Sequence, residues 1–417
     1  MKITDIDYFK IHPKLAERYS DRKVSLNDID NLAVARIKTN NGIVGYGEIR
    51  VRGYWTPPPD HEIEPLIGQS PFDIFHNDLQ PELGGALYDV MGKHLGVPAY
   101  KLMGQKQRDV VTVAAWTRPA PPETFREEIK RAVSDGYNIF KMHTSPYYDV
   151  IEQTRLAEEV APENFRIHYD FNGQGRTLGE VAPLIERLAK DHPIVGWIED
   201  PLPRTDVNGW QTLRKKSRIP IIHGGGPVLG GFQEVMLGFA DIYMIGGFSI
   251  PKILELGSAY SLSNVQTIFQ HTGNTLTKAL ALHIACVLPT ATGHSINLDD
   301  QYSEDITTKT IPVTEGFSPV PENPGLGFEV DEAALNKLAG QNPIEVPKHL
   351  GVLCLPGGHK IYIPSLKRSL TQRFTGREEG ALRGFYTQIW EDDGSSEFDR
   401  IYEFVQNEGK FEDKPNL

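Results

Sequence analysis

The chain has almost no cysteine, no long apolar run and no surplus of positive charge. Its only two thiols, Cys286 and Cys354, stand outside any C-x-x-C pair. That excludes a disulfide scaffold and a thiolate zinc site, and it suits a reduced cytoplasm. The most apolar stretch, ALALHIACVL (279–288), is far short of the roughly 20 residues that a membrane-spanning helix needs. The opening MKITDIDYFK carries charges where a secretory signal would place an apolar segment. A formal charge of −12 and a pI near 5.6 disfavour nucleic acid and anionic lipid as partners, since both are polyanions. No glycine-rich dinucleotide fingerprint occurs either. These absences lead to the expectation of a soluble cytoplasmic protein.

What is present is organised around Asp170, Asn172, Glu199 and Asp200. They lie in FRIHYDFNG (165–173) and VGWIEDPLP (195–203). Each stretch is a run of β-branched, aromatic and apolar residues that ends in acids and a Gly or Pro breaker. Such a run reads as a buried strand delivering carboxylates to a rim. Two deliveries about 29 residues apart, with one helical pattern between them, suggest a hard-cation site on an α/β barrel.

The rest of the chain supports that fold class. LAVARIKTNNGIVGYGEI (32–49) predicts a hairpin around Asn40-Asn41-Gly42, and helical spacing through Leu83, Leu87, Val90, Met91 and Leu95 stops at Gly96 before Pro98. Residues 1–108 are therefore expected to form an α+β capping domain. From 109 to 314 eight strand candidates alternate with seven amphipathic stretches: VVTVAAW, NIFKMHT, FRIHYDFN, VGWIEDPL, IPIIHGGG, DIYMIGG, TIFQHTG and SINLD. This pattern predicts an α/β fold, a (β/α)7β TIM-like barrel. Residues 315–417 are expected to return to the cap and then continue as an extended tail, with strand runs in GVLCLPGGHKIYIP and a helix near 396–408.

Alternation along a strand tells which side chains share a face. Lys141 pairs with His143, Asp170 with Asn172, and His223 with Gly225, while Glu199 and His271 end their strands. Each alone is more often a solvated charge or a hydrogen-bonded structural histidine. Six titratable residues at five strand ends of one barrel instead point to an active site.

In order and spacing these motifs resemble the enolase superfamily, in its mandelate racemase/muconate lactonizing enzyme subgroup, over about residues 1–332. FKMHT resembles that family's K-x-K strand, HYDFNG its D-x-N strand, and WIEDPLP its E-D/E-P strand. ALYDVMGKHLGVPAYKLMG (86–104) and VPENPGLGFEVD are similar to flanking segments. The resemblance implies metal-assisted removal of the proton α to a carboxylate, with Mg²⁺ as the cofactor, a small carboxylate as the substrate, and a homo-oligomer. It implies Asp170 and Glu199 as metal ligands, Asn172 as a neighbouring polar contact, and Lys141, His143 and His271 as the proton-transfer set. Three positions depart from the family. The third ligand falls on Gly225, the carboxylate partner of His271 falls on Gly246, and the eighth strand offers Asn297 and Asp299. His223, expected to face inward one layer lower, could add an imidazole to the metal site. The run Gly224–Gly226 could instead make room for a substrate. Cap loops near Arg50–Trp55 and Tyr19–Lys23 are where substrate contacts are expected, from Arg50, Tyr54 and Trp55.

Dehydration of an aldonate or aldarate is the leading expectation. The alternatives are a racemase or cycloisomerase, catalysis without metal through His143 and His271, and a diverged member that keeps the barrel in a binding or structural role.

Overall fold

The computed structural model describes residues 1–20, 22, 24, 30–143, 148–173, 177–225, 232–366 and 385–415. Lys23, Thr144 and Gly226, named above, lie outside these residues.

An antiparallel sheet of β1 (Ile3–Ile11), β2 (Asn31–Thr39) and β3 (Val44–Val51) opens the chain. The expected hairpin joins β2 to β3, and Gly42 at φ 82° supplies the left-handed residue that its turn requires. The helix Pro81–Leu95 lies across β3 and ends at Gly96. Gly47 makes that contact possible: a Cβ there would collide with the Glu82 carbonyl oxygen.

Eight parallel strands follow: β4 (Val110–Thr117), β5 (Ile139–His143), β6 (Arg166–Asp170), β7 (Val195–Glu199), β8 (Ile221–His223), β9 (Ile242–Ile245), β10 (Gln266–Gln270) and β11 (Ser295–Ile296). They pair in that order, and Ser295 and Ile296 of β11 close the ring against Val113 and Ala114 of β4. Helices connect successive strands throughout. A short strand, β12 (Phe317–Pro319), adds antiparallel to the outside of β4, within a Pro/Gly-rich stretch whose pattern hides it.

Alternation sorts the side chains. Ala114, Trp116, Ile139, Ile222, Ile242, Met244, Ile268 and Ile296 meet inside the barrel. Ile167, Tyr169, Ile221, Tyr243, Ile245 and Phe269 face out into the core shared with the helices. Burying both faces explains why these strands read as nearly continuous apolar runs.

After β12 the chain returns to the first sheet. Gly325 bridges to Pro98, the helix Glu332–Ala339 packs on β1, and Arg36 Nη1 lies 2.8 Å from Glu332 Oε2. The tail then forms its own antiparallel sheet, in the order β15 (Tyr386–Glu391), β13 (His349–Cys354), β14 (Lys360–Ile363), β16 (Phe411–Asp413). The helix Ser396–Glu408 covers it, setting Phe398, Ile401 and Val405 against Leu350, Val352 and Tyr362. No helix among the described residues is long and apolar enough to cross a membrane.

Candidate active site

The interior faces of β5, β6 and β7 bring polar groups together at the carboxyl end of the barrel. Lys141 Nζ lies 2.9 Å from Asp170 Oδ2, 3.6 Å from Glu199 Oε2 and 3.2 Å from His143 Nε2. His143 Nδ1 is 3.1 Å from Asp170 Oδ2 and 3.0 Å from Asn172 Nδ2. A hydrogen on His143 Nδ1 would be donated to Asp170 and would leave Nε2 to accept from Lys141. Each acidic turn contains a left-handed residue. Asn172 and Asp200 adopt left-handed backbone at φ 54° and 45°, which Asn and Asp tolerate better than most residues. The Asn172 N–H donates to Asp170 Oδ1 at 2.7 Å, and the Gly224 N–H donates to Asp200 Oδ1 at 2.9 Å.

Asp170, Glu199 and Asp200 are all buried, and one oxygen from each lies within 4.8 Å of the others. An all-oxygen donor set of this kind fits a hard divalent ion that keeps several waters. Burial disfavours charge throughout the cluster, and its partners decide which groups keep it. Lys141 is pushed down by burial, but Asp170 and Glu199 outweigh this and raise it above an ordinary lysine. Asp170 is held below the usual carboxylate range, because Lys141 and His143 overcome its desolvation. Burial first, then the neighbouring acids, push Glu199 and Asp200 up to about 7.

Two histidines below the cluster escaped the sequence reading. His168 Nε2 lies 2.9 Å from Glu199 Oε2, and His168 Nδ1 lies 2.8 Å from His294 Nε2. Burial holds both imidazoles neutral, well below an ordinary histidine. His168 precedes Asp170 by two residues, so alternation places it inside and could have found it. His294 sits before a two-residue strand and gives no such signal.

The inward placement expected for His223 is reversed. Ile222 occupies the interior, so His223 points out among Trp210, Phe239 and Tyr243, at ring distances of 5.2, 5.5 and 5.9 Å. The structure thus separates it from the acid cluster. Gly224 continues the inward register, and a Cβ there would run into Glu199 Oε1. A Cβ on Gly225 would lie 2.7 Å from Arg204 Nη1 and Nη2. The third carboxylate of the cluster comes from Asp200, next to Glu199, and not from β8.

His271 belongs to a second group. With Arg50, Trp55 and Glu82 it lines a cavity of about 370 Å³ at the seam of cap and barrel, and the Arg50 N–H donates to the Thr272 carbonyl at 2.9 Å. Neither ring nitrogen of His271 has a hydrogen-bond partner among the described residues, and burial pushes its pKa down to about 4. Gly246 also lines this cavity; its Cβ would strike the Gln270 carbonyl oxygen, so no side chain fits at the position expected for a sixth-strand partner. Tyr54 is 85% exposed and takes no part in the cavity's wall. Trp55 packs beside Tyr8, with ring centroids 6.3 Å apart.

The chain is similar to known proteins in sequence and fold. Residues 124–226 and 239–334 match the family described as enolase C-terminal domain-like. The chain is 25% identical to an N-succinyl-L-Arg/Lys racemase of Bacillus cereus over 375 residues, covering 81% of this chain and 98% of that protein. It is 27% identical to a D-galactonate dehydratase of Verminephrobacter eiseniae over 346 residues, covering 72% and 88%. The crystal structure of the B. cereus racemase superposes with a TM-score of 0.69 at 22% identity, covering 82% of this chain and 99% of that one. Muconate lactonizing enzyme from Pseudomonas putida superposes with a TM-score of 0.69 at 18% identity, covering 81% and 99%.

Proposed function

From a chain that belongs to the mandelate racemase/muconate lactonizing group of the enolase superfamily, we propose removal of the proton α to the carboxylate of a small acid, most specifically in the dehydration of an aldonate or aldarate. The observation that carries this reading is the contact of Lys141 and His143 with each other and with Asp170 at the barrel mouth. An α-proton is too weakly acidic to leave unless a base and a stabilising positive charge act together. Lys141, kept charged by two carboxylates, provides a fixed cation beside the reacting carbon. The His143 imidazole takes the proton at Nε2, in exchange for its contact with Lys141.

Asp170, Glu199 and Asp200 would hold the divalent ion, Mg²⁺ in this reading, which supplies further positive charge to the enediolate. In dehydration the C2–H bond breaks toward the base, and hydroxide leaves C3 and is protonated. The resulting enol tautomerises to the 2-keto-3-deoxy acid. His271, neutral and lining the cap-side cavity with Arg50 and Trp55, is assigned to the leaving-group side. We assign the protein to the cytoplasm and to a homo-oligomeric state.

Racemisation is the second reading, supported by the similarity to the N-succinyl-L-Arg/Lys racemase. One experiment separates the two. The protein is incubated with aldonates, aldarates and N-succinyl amino acids in D₂O, and products are followed by NMR and mass spectrometry. Deuterium incorporation with loss of water supports dehydration. Deuterium at the α-carbon with inversion supports racemisation. A panel with no exchange at all would sink both and favour a binding or structural role.

A further inference from the structure

Arg204 lies four residues past Asp200 in the loop after β7, and its guanidinium reaches Gly225, the position where the family resemblance would put the third ligand. Its Nε donates to Asp200 Oδ2 at 3.0 Å, and Nη2 donates to the same oxygen. Asp200 in turn accepts the Gly224 N–H, so the guanidinium is braced against the end of β8. It lies directly over Gly225. An added Cβ would stand 2.7 Å from both terminal nitrogens, and the backbone at φ 74° is left-handed as well. Glycine at 225 and arginine at 204 are thus one arrangement.

The charge pattern shows what the arrangement is suited to. Among the described residues two full cations, Lys141 and Arg204, touch the acid cluster. Lys141 is completely enclosed and committed to Asp170 and Glu199. Arg204 has a side chain 40% exposed, and its Nη1 has no hydrogen-bond partner among the described residues. A guanidinium held along one edge by a carboxylate keeps its other edge for a second planar anion.

We propose that Arg204 receives the carboxylate of the substrate at this site and that Gly225 makes room for it. The assignment deepens the functional reading above and rests on it. Positive charge that a β8 carboxylate would have drawn in as metal is here supplied in part by a side chain.

The test uses the full-length protein. Binding of D-gluconate, D-galactonate and D-galactarate is measured by calorimetry with Mg²⁺ present, alongside α-proton exchange in D₂O. Arg204→Gln should weaken the bound acid about tenfold to a hundredfold, the scale of a lost charge-assisted hydrogen bond. The same variant should raise KM for exchange far more than it lowers kcat. Arg204→Lys, which keeps the charge and loses the fork, should fall between. Gly225→Ala should reproduce the loss by pushing the guanidinium aside, with circular dichroism reporting an intact fold. Mn²⁺ affinity without acid, read by electron paramagnetic resonance, should hold or tighten in Arg204→Gln. If the wild type exchanges α-protons and Arg204→Gln does so with unchanged KM, this inference fails while the functional reading stands. If the wild type neither binds nor exchanges any acid, both fail.

Discussion

Lys141 Nζ sits 2.9 Å from Asp170 Oδ2 with both side chains sealed from solvent, and removing either charge strands the other. Breaking a buried pair from one side costs about 3–5 kcal/mol. Lys141→Met should therefore lower unfolding stability by about that amount in urea titrations and abolish α-proton exchange. A Lys141→Met protein as stable as wild type would mean that the pair contributes little and that Asp170 protonates without cost.

The acid cluster predicts a graded effect on divalent binding. Asp170→Asn and Glu199→Gln should each cut Mn²⁺ affinity at least tenfold, because each removes a full carboxylate from an oxygen-only set. Asp200→Asn should do so as well, although the family resemblance implies only Asp170 and Glu199 as ligands. Calorimetry decides: wild-type affinity in Asp200→Asn would leave only two ligand carboxylates.

Neutral buried histidines should each contribute a share of stability that acid removes. Burial pushes His223, His271 and His283 each down to about 4. Between their ordinary value of 6.5 and about 4 the unfolded chain binds more protons than the folded one, so stability falls as pH falls across that window. The loss is up to about 3 kcal/mol for each group. Glu199 and Asp200, raised to about 7, act in the opposite sense, so the test is a difference: between pH 6.5 and pH 4 His283→Gln should lose less stability than wild type. An unchanged slope in that variant would show that the ring is already charged in the folded state.

The family resemblance would put the third ligand at Gly225, and a Gly225→Glu side chain there meets Arg204. Alone it should destabilise the protein by about 1–3 kcal/mol through the left-handed backbone and give no gain in Mn²⁺ affinity. Combined with Arg204→Ala it should tighten Mn²⁺. A single Gly225→Glu variant that already binds Mn²⁺ more tightly would show that Arg204 swings aside freely.

The barrel was legible because both faces of its strands are buried, leaving apolar runs at regular spacing. The hairpin was legible because Asn40-Asn41-Gly42 has turn chemistry that few other stretches share. Lys141, His143, Asp170 and Glu199 could be read as one neighbourhood because strand ends of a barrel converge. His223 was misplaced by parity counted from the wrong residue: β8 is three residues long, too short for its pattern to fix which side faces in. Arg204 was invisible because its importance comes from a loop folding back over a glycine.

The barrel is also a closed ring, and its hydrogen-bonded pairings are uneven. β5 and β6 share five register pairs, whereas β7–β8, β8–β9, β10–β11 and β11–β4 share two each. Amide exchange should accordingly be fastest along β8 and β11, where the fewest bonds must open. The carboxylates and Arg204 lean on β8, so a bound ion or acid would brace the weakest arc of the ring. Ligand binding and the opening of the barrel wall are then two views of one equilibrium.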